Sequence, residues 1–511
     1  MSRKKKLLLN IISGLLFQIV TLVCGFILPR YFLMYYGSEV NGLVSSISQF
    51  LAFITLAECG VGAVVQSALY KPLAEKDEAQ ISRIIKSADK FFKKIALILV
   101  VYIIGLTIIY PLFVSSSFDI LFTISLILVV SISLFVQYFI SMSYKLLMNA
   151  DQIGFINLFV QIIVLILNTI VCILLMKNGV GIQYVKLTTA LLHLIPPIFI
   201  VVYIKKHYKI NKKIEITEEP IKQKWNGMAQ HVSAVILQNT DVIVLTIFAS
   251  LVSVSIYNVY YLVVFGLTSL VKSVSTGTEA LLGNMLSKNE TEKMHKTFSI
   301  YEFAMHFIVT ILFCCAGILI VPFVKVYTSG ITDANYIVPL FASILTLAQA
   351  VYCLRIPYNT IVKAAGHYKQ TQKSAIIEAV LNVVLSVILV INFGLVGVAI
   401  GTLVAVAYRT IYFVFYLRKN IINRKISHFI KHVIVDVVIV GLSVLACWFF
   451  EMTSVSYISW IILAIKCSLI VFAIAIVVNL IVYHKMIKDV WISFKNKLKN
   501  KNKMEDKYNG K

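Results

Sequence analysis

Apolar residues occur in blocks of about 20 along almost the whole chain, separated by short polar segments rich in lysine. A helix of about 20 residues crosses the ~30 Å hydrocarbon core of a bilayer. Fourteen such spans are read, at 7–29, 42–66, 95–114, 120–143, 156–176, 182–204, 226–249, 251–275, 301–325, 336–358, 375–393, 395–417, 432–450 and 455–483. Six lie before a basic loop at 205–225 and six between it and a second basic stretch at 418–431. The expected fold is therefore an all-α membrane protein of about 14 transmembrane helices. It comprises six-helix bundles over 1–204 and 226–417, an extra helix pair over 418–483 and a basic tail over 484–511.

The two bundles also echo each other in sequence. Tyr144, Ala150, Asn168 and Asn178 recur as Tyr358, Ala364, Asn382 and Asn392 at a constant offset of 214 residues. Ala68 and Leu69 answer Ala280 and Leu281, Leu73 answers Leu286, and Gly179 and Gly181 answer Gly394 and Gly397, within two residues of that register. Because six is even, the second copy enters with the orientation of the first. This is the arrangement of transporters whose repeats are related by an axis along the membrane normal, with the substrate site between them.

Composition agrees with this reading: 59% of the 511 residues are hydrophobic, 14% are charged and mean hydropathy is +0.89, which excludes a soluble core. The net charge of +24 would suggest a nucleic-acid partner if it were clustered on a soluble face. With the N-terminus inside, however, 39 of the 47 Lys and Arg fall on segments assigned to the cytoplasm. The charge thus reports topology, with both termini cytoplasmic and no nucleic acid expected. The first span, behind Arg3–Lys6, lacks a small-residue cleavage site and is expected to be an uncleaved helix. Between Ile81 and Lys93, apolar residues oppose Arg83, Lys86, Lys90 and Lys93, reading either as an amphipathic helix on anionic lipid or as a solvated loop helix. The lysine-rich tail is expected to be disordered and lipid-facing. All eight cysteines fall within spans without a C-x-x-C pair, so neither disulfides nor zinc is expected.

No outer connection exceeds about 16 residues, and the loops carry no Asp-x-Asp pair, Gly-rich phosphate cradle or histidine cluster at metal-ligand spacing. This speaks against a membrane polymerase or transferase, and the chain is expected to be a transporter, not an enzyme.

Candidate chemistry lies with the charges inside spans, because each costs about 2.5–3.5 kcal/mol near a bilayer centre unless it meets a partner or a watery cavity. These are Lys186, Lys272, Arg355, Arg409 and Lys466, with Glu58, Asp241, Glu378 and Asp436. Lys272 and Arg355 lie late in their helices, where snorkelling to the interface is an equal alternative. Glu378 is read as an interfacial cap in the first turn of its span, and Asp436 and Lys466 as a pair on the two extra helices. Subtracting 213 or 214 from 272 places Lys272 opposite Glu58 in the repeat, and these two are expected to pair across the pseudo-twofold axis.

The stretch "RYFLMYYGSEVNGLVSSISQF" from Arg30, followed by Leu56–Gly62, resembles the opening of the polysaccharide biosynthesis/export family. "QNTDVIVLTIFASLVSVSIYNVYYL" looks like that family's seventh span, with Asp241 and Tyr257 at its polar positions. "RIPYNTIVKAAGHYKQT" and "LNVVLSVILVINFGLVGVAIGT" resemble its tenth-to-twelfth-span signature. These are Wzx-type flippases of lipid-linked oligosaccharides, in the superfamily that also holds multidrug exporters and the lipid II flippase.

The resemblance implies a V-shaped pair of lobes that moves an undecaprenyl-diphosphate-linked repeat unit to the outer leaflet by alternating access, for capsule, O-antigen or exopolysaccharide. Arg30, Lys186, Arg355 and Arg409 are the candidate diphosphate or sugar contacts, with Lys272 behind them, since cationic donors suit a diphosphate in a low-dielectric cavity. Glu58 and Asp241 are candidates for coupling to a proton or sodium gradient, with no other cofactor expected. The expected setting is a bacterial cytoplasmic membrane, as a monomer in contact with membrane lipid, with a polysaccharide polymerase as candidate partner. The alternatives are a cation-coupled multidrug exporter or a lipid II flippase. A solute carrier of the other large parallel-repeat superfamily ranks low because its Gly-Asp-Arg motif is absent from 67–80.

Overall fold

The computed structural model describes residues 3–58, 60–114, 117–211, 213–215, 228–275 and 277–509, with the side chains of 3, 4, 228, 229 and 489–509 outside the description. Cys59 and most of the 205–225 loop also lie outside it. Among the described residues the structure is helical, without strands. The helices are α1 (Arg3–Ala52), α2 (Val61–Glu75), α3 (Glu78–Val114), α4 (Ile120–Val136), α5 (Met142–Ala150), α6 (Gly154–Lys177), α7 (Ile182–Leu192), α8 (Ile195–His207), α9 (Met228–Phe248), α10 (Leu251–Val274), α11 (Thr278–Ser287), α12 (Thr291–Tyr327), α13 (Pro339–Leu354), α14 (Ile356–Ala364), α15 (Gln372–Asn420), α16 (Ser427–Cys447) and α17 (Tyr457–Asn509).

Twelve helical stretches among the described residues are long and apolar enough to cross a membrane. Two of them, Lys5–Glu58 and Gln372–Asn420, run for 54 and 49 residues, more than twice the ~20 that one crossing needs. Each is bent at a glycine in a conformation that other residues reach only with strain, Gly37 (φ 78°) and Gly394 (φ 52°). Counting each bent stretch as two crossings reconciles the twelve with the fourteen expected.

The repeat is visible in the elements themselves. Helices α3 and α12 are both 37 residues long and start 213 residues apart. Helices α5 and α14 are both 9 residues long, 214 apart, and end at Ala150 and Ala364. Each follows an interruption in the preceding helix: a π-helical turn at Gln137–Ser141 before α5, and a break at Arg355 before α14.

The chain divides into two compact units. The first comprises residues 1–266, 327–348 and 366–409, and the second 267–326, 349–365 and 410–511. In the first, Leu43, Ile47, Leu69, Leu99, Tyr110 and Leu126 belong to one continuous core. The bend of α1 is set by Asp333: its carboxylate accepts from Ser38 N (2.6 Å) and Ser38 Oγ (2.8 Å), capping the helix that restarts after Gly37. That half-helix approaches α10 so closely that a Cβ on Gly42 would lie 1.9 Å from the Leu251 carbonyl oxygen. Asn41 donates to Ser255 of α10 (2.8 Å) along the same contact, and Ser46 bonds to Thr246 of α9 (2.7 Å), so small residues admit the neighbouring backbone and hydroxyls join the helices. In the second unit, Leu282, Phe298, Tyr358 and Phe413 share one cluster, while Val435, Ile439, Ala475 and Tyr483 pack α16 on α17.

Several expectations are corrected. The amphipathic stretch at 81–93 is the first half of α3, and Ile81, Ile84, Ile85 and Ala88 are buried in the first unit's core, not laid on lipid. Its charges held the hydropathy reading to a start near residue 95, although the helix begins at Glu78. The basic tail, expected disordered, is helical to Asn509. Asp436 does not pair with Lys466: it is held by His306 (2.6 Å) and Thr310 (2.7 Å). Lys466 is exposed because α17 turns the edge of Leu463, Cys467 and Val471 inward, about 100° away from it. Glu378 is not an interfacial cap; it is 1% exposed and 2.6 Å from Arg409 Nη1.

Two outcomes test this packing. Gly42→Val lowers unfolding stability in detergent by about 3 kcal/mol or more, because the colliding atom is backbone, whereas Gly105→Val, with open space around it, changes stability by less than about 0.5 kcal/mol. Glu378→Gln removes the carboxylate paired with the buried Arg409 guanidinium and costs about 3–5 kcal/mol by the same assay, and pairing Glu378→Leu with Arg409→Met recovers most of it.

Candidate functional site

A cavity of about 530 Å³ opens among the membrane-spanning helices of the first unit. The second half of α1 supplies Asn41, Ser45, Ser48 and Gln49, at i, i+4, i+7 and i+8, a polar stripe down one face of an otherwise apolar helix. Helix α9 adds Gln238 and Asn239, and α10 adds Asn258 with Tyr261 and Phe265. The Nδ2 of Asn258 is buried without a hydrogen-bond partner among the described residues.

The charge balance of this wall is one-sided. Lys186, on α7, lines the cavity with its Nζ 4.1 Å above the centre of the Phe32 ring. No Asp or Glu lines the cavity, and Lys186 has no ion pair among the described residues. A cation–π contact stabilises an ammonium by about 0.5–2 kcal/mol and leaves its charge uncancelled. The cavity therefore presents one net positive charge among amides, hydroxyls and aromatic faces, a set of groups suited to an anion attached to a polyol.

The other predicted residues do not line this cavity. Arg30 is half-buried on α1; its Nη1 donates to the Tyr327 carbonyl (2.8 Å) and its guanidinium stands 5.9 Å from the ring of Tyr327, itself a wall of the cavity. Arg409 is 7% exposed and bonded to Glu378 and to Gln230 Oε1. Lys272 and Arg355 belong to the second unit, where both cations stand 4.9 Å from the Tyr352 ring, Lys272 exposed and Arg355 buried. Glu58 ends a 3₁₀ turn, Phe53–Glu58, and accepts a hydrogen bond from Tyr138 in the π-helical turn, with Lys145 within electrostatic reach.

Asp241 occupies a separate polar site in the first unit. It is 3% exposed and accepts from Tyr257 OH (2.9 Å), Thr402 Oγ1 (2.9 Å) and Asn382 Nδ2 (3.5 Å), and no cationic side chain pairs with it among the described residues. The bend at Gly394 folds the two halves of α15 together so tightly that a Cβ on Gly401 would lie 2.6 Å from Ser386 Oγ, which brings Asn382 and Thr402 face to face. Asn382 Oδ1 is buried beside the carboxylate with no partner among the described residues. A buried carboxylate without a cation is costly, and neutral donors offset only part of that cost. The oxygens of Asp241, Asn382 and Thr402 fit either a proton or a small hard cation.

The cavity amides carry no charge and so do not stand out within apolar spans; the i, i+4, i+7, i+8 stripe on α1 is the signal that the sequence holds for them. Glu302 and His306 fall in the first turns of the 301–325 span and read there as helix-end residues, whereas α12 begins at Thr291 and carries both well inside it.

No protein-family model matches the chain, and no curated protein matches it. Among solved structures, one of the lipid II flippase MurJ in an inward closed conformation is similar over 93% of this chain and 100% of its own, with a TM-score of 0.71 and 18% identity. An inward-facing multidrug resistance MATE family transporter of the MOP superfamily is similar over 78% of this chain and 94% of its own (TM-score 0.58, 15% identity). A MOP superfamily transporter from Pyrococcus furiosus is similar over 82% and 95% (TM-score 0.53, 13% identity). The chain is a multi-pass membrane protein with the fold of MOP-superfamily transporters.

Proposed function

We propose that the protein is a flippase that carries undecaprenyl-diphosphate-linked oligosaccharide repeat units from the cytoplasmic to the outer leaflet of a bacterial cytoplasmic membrane, for capsule, O-antigen or exopolysaccharide. The two six-helix copies, 1–204 and 226–417, would rock between inward- and outward-open states. The observation that carries this reading is the uncancelled Lys186 ammonium in an amide-lined cavity. It offers a charge-assisted contact to a diphosphate, while the amides and the faces of Phe32 and Tyr261 suit sugar hydroxyls and pyranose rings. Arg30 stands as a further contact within the first unit, where Arg409 is committed to Glu378, and Arg355 with Lys272 as a second cationic point in the other. Exposed apolar residues along α16 and α17, such as Ile434, Val437, Ile465 and Leu469, suit a polyprenyl tail. An exporter of cationic drugs would call for a cavity carboxylate, and none lines this cavity among the described residues.

Coupling is assigned to Asp241, with Glu58 as the second candidate. When sodium is bound, it supplies the positive charge that the Asp241 carboxylate lacks. Tyr257 and Asn382 hold that carboxylate between α10 and α15, so filling or emptying the site acts on both helices.

Two outcomes are expected. In a host lacking the gene, Lys186→Gln fails to relieve the cytoplasmic-leaflet accumulation of lipid-linked sugar and lowers flipping at least about 10-fold, as loss of one buried charge-assisted contact implies. Identifying that accumulated lipid separates a repeat unit from lipid II, and the absence of any accumulation, in a host without a redundant flippase, overturns the reading. For the purified protein, sodium at about a hundredfold over its Kd adds about 2.7 kcal/mol of stability, lost in Asp241→Asn and not reproduced by potassium. A stability that responds to pH but not to sodium assigns the site to a proton.

A further inference from the structure

A second buried ionisable network lies within the other unit, apart from Asp241 and unused in the transport reading above. Glu302, on α12, is fully buried. Its Oε1 accepts from Arg424 Nη2 (2.5 Å) and Tyr358 OH (2.6 Å), and its Oε2 lies 3.6 Å from His432 Nε2. One turn along α12, His306 Nδ1 is 2.6 Å from Asp436 Oδ2, and Thr310 donates to Asp436 Oδ1 (2.7 Å). The two imidazoles are stacked, with centroids 4.7 Å apart and planes inclined by 22°. His432 Nδ1 is 2.8 Å from Tyr483 OH on α17. Two atoms in this network, Glu302 Oε2 and His306 Nε2, are buried without a hydrogen-bond partner among the described residues.

Among the described residues, the charged and titratable groups facing the two rings come from four helices and the segment before α16. Helix α12 contributes Glu302 and His306, α14 Tyr358, the segment before α16 Arg424, α16 His428, Lys431, His432 and Asp436, and α17 Tyr483. His428 and Lys431 are exposed, and Lys431 is occupied by the Tyr483 ring (4.5 Å) and the Val482 carbonyl (3.2 Å). Inside, two carboxylates therefore meet one guanidinium, leaving one negative charge in excess. A single proton on the imidazole pair cancels it. A second would set like charges 4.7 Å apart in a low-dielectric interior, where their repulsion is large. With Nδ1 of His306 donating to Asp436, its buried Nε2 lone pair is the vacant position.

We propose that this network is a proton-binding site that takes up and releases one proton at the His306–His432 pair, and that the bound proton fastens α16, and through Tyr483 α17, to α12. The proton comes from water onto the imidazole lone pair, and the resulting imidazolium closes an ion pair with Asp436. Without it, the excess negative charge is borne at the contact between these helices, which weakens as pH rises.

The test is magic-angle-spinning NMR of the full-length protein, labelled with ¹⁵N-histidine, in lipid bilayers between about pH 5 and pH 9. The His306 and His432 signals are assigned by their loss in His306→Gln and His432→Gln. The expected result is a change whose summed amplitude over the two rings equals one proton. In Asp436→Asn the interior carries one carboxylate and one guanidinium, and the change disappears from this range. A summed amplitude of zero or of two protons overturns the proposal, as does an unaltered change in Asp436→Asn. If that variant does not fold, the wild-type amplitude decides alone.

Discussion

A charged group inside a bilayer must find its counter-charge within the protein, since the surrounding lipid offers neither water nor polar atoms. Each deep ionisable residue in this chain can be sorted by how far that demand is met. Glu378 and Arg409 meet it directly, by a buried ion pair. Asp241 meets it only with neutral donors, Lys186 only with an aromatic face, and the Glu302–Asp436 network falls one charge short. A satisfied pair is part of the frame, whereas a deficit is a place where something mobile can bind. The charge deficits thus coincide with the cavity, the proposed coupling site and the proposed proton site.

The repeat supplies the frame and leaves the chemistry to differ. Lengths and interruptions of α3, α5, α12 and α14 recur at 213–214 residues. Asn168 and Asn382 both remain buried, yet Asn168 Oδ1 accepts from the thiol of Cys172 (3.3 Å), whereas Asn382 stands beside a carboxylate. The same repeat position is thus a packing contact in one copy and part of a candidate ion site in the other.

The architecture was largely legible in the sequence because hydrophobic blocks of membrane length are a strong, local signal. The spans follow from counting residues against bilayer thickness and the repeat from identities at an offset of 214, whereas the continuity of helix through the bends at Gly37 and Gly394 does not show in hydropathy. Helix starts were less legible wherever a helix projects beyond the apolar block, as α3 does through its lysines, since hydropathy reads lipid contact and not helicity. The candidate site was half legible. Lys186 and Asp241 stood out by charge alone, but a search for charge passes over Asn41, Gln49, Gln238 and Asn258, and pairings such as Glu378 with Arg409 depend on helix rotation. His306 and His432, 126 residues apart, are brought together by tertiary packing that no local pattern announces.

The cap on the first bend bears on how the chain is made. Asp333, which fixes the turn at Gly37, is synthesised 296 residues after it. At about 5–20 residues per second, that separation is some 15–60 seconds of translation. For that interval the opening helix pair enters the membrane without the carboxylate that sets its angle. Any machinery that inserts this protein therefore handles an unfinished first hairpin until two thirds of the chain has emerged.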